Sequence, residues 1–224
     1  MTAVLGIVAA LKMERRWIGV PEPLVELSGV GDTRAELAAR RLVERGATAL
    51  VSWGVAGGLD PELSPGTVIL PDTVIGADGQ SWGVDLEWRD RLLVRVRGRV
   101  VTSTSPLYHA TSVITTADEK RAIHERFGAG AVDMESAAVA RVAVENEMPC
   151  VAVRVVIDSA GMELPASIMT ATGGNGRLRA GAIGGLIFRP RLWPRLITLG
   201  RAGAAAGRSM RGLWAAAQPD LALS

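Results

Sequence analysis

The chain contains one cysteine, Cys150, in 224 residues. An intrachain disulfide is therefore excluded, and the cytoplasm is the expected compartment. No uncharged apolar run reaches 18 residues, so no membrane-spanning helix is predicted. The opening "MTAVLGIVAAL" lacks a basic n-region and a small-residue cleavage site, and it runs straight into "KMERR"; it reads as a buried first strand rather than a leader. No GxGxxG follows that strand, which disfavours a dinucleotide site. GxSxG and Walker sequences are missing, which removes the serine-hydrolase and P-loop readings. No His, Cys and carboxylate spacing suits a metal, so no metal site and no cofactor are expected. Acidic residues are missing between Glu163 and Asp220, where Arg177, Arg179, Arg189, Arg191, Arg195, Arg201, Arg208 and Arg211 all fall. This basic block fits a membrane surface or an acidic partner, and it fits a solvated tail equally well.

What is present points to a folded α/β protein. Hydrophobic residues make up 48% of the chain, too many for a disordered one. The net charge is only +2, so the whole chain does not read as a nucleic-acid binder. Apolar runs bounded by Gly, Pro or charge predict strands at Val4–Leu11, Leu24–Val30, Ala49–Ala56, Thr67–Ile75, Arg99–Thr104 and Cys150–Asp158. Several are apolar on both faces, as in a sheet covered on both sides. Helices are predicted from Asp32 or Thr33 as cap to Gly46, over "ADEKRAIHERFG" ending at Gly128, and over "ESAAVARVAVENE" before Pro149. The alternation predicts a single α/β domain, residues 1–172, with a central mixed sheet flanked by helices. Residues 173–224 are predicted as an Arg-rich helical extension. In it Leu192, Leu196, Leu199, Met210 and Trp214 share one helical face, while Arg201, Arg208 and Arg211 point elsewhere. That face suits docking on the core or lying on a membrane.

Three stretches carry charge or glycine where a core protein has little use for either. "VSWGVAGGLDPELSPG" (Val51–Gly66) reads as a strand entering a turn at Gly54, Gly57 and Gly58, where a backbone can approach a ligand closely or form a structural tight turn. "CVAVRVVIDSA" places Arg154 and Asp158 on one face of an apolar strand; buried ionisable groups need partners or a function. "GAGAVDMESAAVARVAVEN" places Asp133 and Glu135 around Met134 at a strand-to-helix junction, a common place for a site in α/β folds. Glu14, just after the first strand, is by itself one glutamate among many. His109 and His124 read as isolated, His124 on a solvated helix.

Taken in order, "GIVAALKME", "LSGVG", "VSWGVAGGLDPELSPGTVILPD", "AVDMESAAVA" and "VAVRVVIDSA" resemble the nucleoside phosphorylase and nucleosidase superfamily, which includes the methylthioadenosine/S-adenosylhomocysteine nucleosidases. The resemblance covers roughly Val4 to Ala160. "LVSWGVAGGLDP", "VDMESAAVARVA" and the Pro- and Arg-rich tail after "ELPAS" are most similar to the hopanoid-associated phosphorylases. The resemblance implies removal of adenine from adenosylhopane, by phosphate or by water. It implies that Glu135 accepts hydrogen bonds from the ribose hydroxyls, that Met134 packs against the sugar, and that Asp158 helps protonate adenine at N7. It also implies that Arg154 stands beside the nucleophile and that Glu14 activates water. Gly54, Val55, Ala56, Gly57 and Leu107 are expected to line the substrate. Asp133 is expected to face away from the sugar in a structural role.

The chain departs from the pattern where family phosphorylases hold phosphate with an arginine and a serine. Ser52 and Val55 stand there, so Arg34, Arg154 and the backbone amides of Gly54–Gly58 are the candidate substitutes if phosphate is a co-substrate. The chemistry suits the residue types: an acid near N7 neutralises a departing base, and an apolar strand supplies the desolvation that keeps such an acid protonated. The expected partner is a nucleoside with a hydrophobic 5′ substituent, and the family implies a homo-oligomer. Two alternatives stay open: a methylthioadenosine/S-adenosylhomocysteine nucleosidase, and a non-catalytic nucleoside- or lipid-binding protein. The basic tail adds an expected contact with the inner membrane surface.

Overall fold

The computed structural model describes residues 4–19, 23–163 and 193–221, with the last segment's side chains described from 200 to 217. The expected domain boundary at 172/173, and the faces of Leu192, Leu196 and Leu199, lie outside the described residues.

Three parallel strands form the centre: β1 (Leu5–Ala9), β3 (Ala49–Gly58) and β10 (Cys150–Asp158), with β3 in the middle. β2 (Leu24–Leu27) extends the β1 edge in parallel. On the far side of β10 come β4 (Val68–Ile69), antiparallel to it, and β7 (Thr102–Ser103), parallel to β4. The end of β3 turns away from this sheet and pairs antiparallel with β9 (Ala131–Asp133). From β9 the sheet continues through β8 (Leu107–His109), β5 (Thr73–Gly76) and β6 (Ser81–Gly83). One mixed sheet of ten strands results, as the alternating pattern predicts.

The two faces of the central strands separate by the period of two. Val151, Val153 and Val155 of β10 pack with Val51 and Trp53 of β3 in one core. The other face carries Cys150, Ala152 and Val156, with Arg154 and Asp158 at the intervening positions. That second face is covered by α2 (Asp32–Glu44) and α5 (Ser136–Glu145). Their contact is built from Ala35, Ala38 and Ala39 against Ala138, Val139, Val142 and Ala143. Small side chains let the two helices approach closely, and this brings their N-termini to the same end of the sheet.

The first face is covered by α3 (Leu86–Val96) and by α6 (Trp193–Leu221). Ala206, Met210, Leu213, Trp214 and Ala217 of α6 are buried there. Trp214 meets the fully buried Trp53 edge to face, with ring centroids 5.9 Å apart; such a pair is worth about 0.5–1.5 kcal/mol beyond its buried area. Arg201, Arg208 and Arg211 are exposed. Of the two uses foreseen for this apolar face, the one observed is docking on the core. Among the described residues, no helix is long and apolar enough to cross a membrane.

Several local expectations differ from the structure. The run Thr67–Ile75 is two strands, since Pro71 cannot donate to a ladder and falls between β4 and β5. α2 has no side-chain cap from Asp32 or Thr33; its cap residue is Gly31, at φ 107°, and Asp32 is the first helical residue. Gly54–Gly58 is not a turn, because β3 runs unbroken to Gly58. α3, β6 and β8 lie where the sequence predicts no element, while β9 is the strand of the expected strand-to-helix junction. α4 (Ala117–Phe127) has the expected stop, with Gly128 left-handed at φ 63°.

Candidate active site

A cleft of about 200 Å³ opens where the ends of β1, β3, β9 and β10 meet. Its polar lining consists of Glu14, Asp133, Glu135, Asp158 and Ser112; Leu11, Val30, Val55, Met134 and Ile157 are among its apolar walls. Of the residues predicted from the sequence, Glu14, Val55, Ala56, Gly57, Met134, Glu135 and Asp158 all line it. Arg154 and Gly54 do not line it; they lie against the lining residues Glu14, Asp133 and Glu135. Leu107 does not reach the cleft; it is fully buried among Ile69, Val74 and Ala131. Nor does Arg34, which is exposed and packs its side chain near Gly29.

Arg154 organises one end. Register sets it beside Gly54, and a Cβ at Gly54 would fall 2.3 Å from Arg154 Nη1 and 2.6 Å from Glu14 Oε1. Glycine is needed there for close approach of side chains, not for a turn. Arg154 Nη2 donates to Ser52 Oγ at 2.7 Å and pairs with Asp133 Oδ2 at 2.7 Å and Glu135 Oε2 at 3.6 Å. Nε donates to Ser136 Oγ at 3.1 Å. Nη1 has no protein partner.

Glu14 sits in the single turn of α1 (Lys12–Arg15), fully buried. Oε2 accepts from the Leu11 N–H at 2.7 Å and Oε1 from the Val55 N–H at 3.0 Å. Desolvation dominates, Arg154 opposes it, and the Glu135 charge adds to it; together they push the Glu14 carboxyl up to about 7. A carboxylate poised there exchanges a proton readily near neutral pH.

Glu135 caps α5 from outside the helix and reaches α2, where Oε1 accepts from the Gly31 N–H at 2.9 Å. Burial raises its pKa against the pull of Arg154. The expectation that Asp133 faces away is not met: Asp133 ends β9, Glu135 stands just before α5, and both line the same cleft and pair with the same guanidinium. Burial opposes its ionisation, yet Arg154, His109 and Ser136 outweigh burial and hold its pKa below the usual range. Ser136 donates to Asp133 Oδ2 through both its N–H, at 3.0 Å, and its hydroxyl, at 2.5 Å.

His109 and Lys120 were not legible as site residues. Parallel pairing of β8 with β9 sets His109 opposite Asp133. It is buried, 3.2 Å from Asp32 and 3.7 Å from Asp133. Burial lowers its pKa, but the surrounding Asp133, Asp32 and Glu135 charges prevail and raise it. Lys120, on α4, is buried and paired with Asp158 Oδ2. Asp158 Oδ1 accepts from the Gly58 N–H at 3.3 Å. Burial raises the Asp158 pKa, with Lys120 pulling the other way. Both signals depend on pairings across the fold that no local spacing encodes.

The model of the phosphorylase superfamily matches residues 8–85 and 84–183, and the chain belongs to that superfamily. It is 29% identical over 161 residues to the 5′-methylthioadenosine/S-adenosylhomocysteine nucleosidase of Thermotoga maritima, covering 67% of this chain and 72% of that one. It is 28% identical over 164 residues to the aminodeoxyfutalosine nucleosidase of Campylobacter jejuni, covering 62% and 69%. In fold it is similar to the futalosine hydrolase of Helicobacter pylori, at a TM-score of 0.69 and 15% identity, over 93% of this chain and 96% of that one. The protein is an enzyme that cleaves the N-glycosidic bond of a purine nucleoside.

Proposed function

We propose that the enzyme hydrolyses the bond between adenine and ribose in a 5′-substituted adenosine whose 5′ group is bulky and apolar, adenosylhopane being the substrate in view. The observation that carries the chemistry is the placing of two buried carboxyls, Glu14 and Asp158, both raised by desolvation, in one cleft with Glu135 lining it beside Glu14. In this reading the ribose hydroxyls donate to Glu135, and Met134 packs against the sugar. Glu14, as carboxylate, takes a proton from water held near the free Arg154 Nη1. The water oxygen bonds to C1′ as the C1′–N9 bond breaks. The bonding pair leaves with the base, and Asp158 gives its proton to N7. Positioning and proton transfer of this kind supply much of such a barrier reduction.

Water is favoured over phosphate by charge. The candidate anion partner beside the cleft is Arg154, already facing Asp133, Glu135 and Glu14. A phosphate there meets three carboxylates against one guanidinium, a poor anion site at short range. Arg34, a further candidate, is exposed and does not line the cleft. No cofactor enters this reading.

The apolar lining by Leu11, Val30, Val113 and Ile114 supports a hydrophobic 5′ group, as does the likeness of the tail to the hopanoid-associated enzymes. The relatives' names favour a second reading, a methylthioadenosine/S-adenosylhomocysteine nucleosidase. Adenine release from adenosylhopane and from 5′-methylthioadenosine, with and without phosphate, separates the two. Preference for the hopanoid without phosphate dependence supports the first; fast turnover of methylthioadenosine alone supports the second; no release from either contradicts both.

The same proposal includes a cytoplasmic homo-oligomer that touches the inner membrane surface through the exposed Arg201, Arg208 and Arg211. Replacing all three by Gln is expected to reduce sedimentation with anionic vesicles, and unchanged sedimentation removes the idea. Sedimentation velocity reports the assembly.

A further inference from the structure

α4 is a solvated helix with one anomaly. Asp118, Glu119, Arg121, Glu125 and Arg126 are exposed, and the residue the helix buries is a lysine. Lys120 is 1% exposed. A buried ammonium is costly unless every proton has an acceptor. Here three are supplied: Asp158 Oδ2, the Ser159 carbonyl at 3.0 Å and the Met162 carbonyl at 3.2 Å. All lie on β10 or the turn that follows it. With Gly58 N–H on Oδ1, both oxygens of Asp158 are held from two different elements. Among the described residues, Lys120 is the charged group that contacts Asp158; Glu14, Asp133 and Glu135 line the same cleft without an ion pair or hydrogen bond to it.

We propose that Lys120 is a positioning residue for the reaction: its ammonium fixes the Asp158 carboxyl in the cleft and stabilises the negative charge left there once the proton has moved to the base. This rests on the acid role proposed for Asp158. Before transfer, Lys120 faces a neutral carboxyl; after the O–H proton has passed to N7, it faces a carboxylate. The interaction strengthens along the reaction, which is the condition for raising kcat rather than tightening binding. The carbonyls of Ser159 and Met162 keep the ammonium from following the substrate.

The test uses the full chain, 5′-methylthioadenosine and adenosylhopane as probes, and pH profiles of adenine release. Lys120→Met is expected to lower kcat by roughly 10²-fold, the scale for loss of one preorganised donor, with a much smaller change in KM. Without the ammonium the Asp158 carboxyl holds its proton to higher pH, so the basic limb of the kcat profile moves upward. Lys120→Arg, which keeps the charge, is expected to leave that limb near the wild-type position. An unmoved limb in Lys120→Met overturns the proposal and leaves a packing role. Because Lys120→Met exposes Asp158 to an unpaired burial, a second variant leaves no lone charge: Asp158→Asn with Lys120→Met. Residual release equal to that of Asp158→Asn alone is expected, since Lys120 acts through Asp158. A further fall by the full single-variant factor contradicts it. Asp158→Asn with wild-type turnover sinks the parent reading itself, whatever Lys120 does.

Discussion

At the Arg154 end of the cleft, three carboxylates (Glu14, Asp133 and Glu135) face one guanidinium, with His109 behind Asp133. At the Asp158 end, one carboxyl group faces one ammonium. Burial outweighs the pull of that one cation at two of them: Glu14 is pushed up to about 7 and Glu135 is raised as well, while Asp133 is held low by Arg154, His109 and Ser136. The second end carries no excess; its acid is set by burial against a single fixed ion pair. Two environments made from the same residue types thus suit opposite tasks, a base for water and an acid for the leaving group.

The largest expected effect breaks the acid end. Asp158→Asn keeps the shape and loses the proton, and adenine release under saturating substrate is expected to fall by about 10²–10⁴-fold. At the other end, Glu14→Gln is expected to lower kcat/KM by about 10²-fold and to remove an acid limb near pH 7, since the wild-type base form appears as pH rises through about 7. Its stability signature has a definite sign. The Glu14 carboxyl is raised in the folded state, so it favours folding most below its ordinary value of 4.5, and this contribution is lost as pH rises through about 7. The loss is roughly 3 kcal/mol, and urea titrations at pH 5 and pH 8 are expected to show it in the wild type and not in Glu14→Gln.

Gly54→Ala probes the backing of the Arg154 end. The added Cβ displaces Arg154 Nη1 and Glu14 Oε1, and kcat is expected to fall about tenfold or more, as misplacement of reacting groups does. Leu107→Val, in the core behind the cleft, is expected to leave kcat near wild type. The smallest effect belongs to His109. Its pKa is raised in the folded protein, so its contribution to stability is full below the ordinary value of 6.5 and is lost as pH rises through the folded value. His109→Gln is expected to flatten that part of the stability profile with only a few-fold change in activity; an unchanged slope places the titration elsewhere.

Much of this was legible in the sequence where the signal is local. The period of two in "CVAVRVVID" predicts Arg154 and Asp158 on one face; β10 carries both, with a register shift between Val156 and Asp158 that interrupts the period. Capping and stop residues located α2, α4 and α5 to within a few residues. Short strands were hard to read: β9 was legible only as the strand before α5, and β8, with three residues, is too short for periodicity to register. What depends on them was lost too. Register across β8 and β9 brings His109 to Asp133. Lys120 sits in a sequence of charges that reads as solvated, and only the packing of α4 against the end of β10 distinguishes it. Arg34 has the residue type for phosphate, but its place on the outer surface of α2 follows from the Ala-rich contact with α5, which turns other positions inward.

The central claim is that water, activated by Glu14, is the acceptor. It is tested most directly by running the reaction in ¹⁸O-labelled water with phosphate present and analysing the sugar product by mass spectrometry. The account predicts ¹⁸O at C1′, adenine release independent of phosphate, and no sugar 1-phosphate. Formation of a sugar 1-phosphate, with release that requires phosphate, would contradict it.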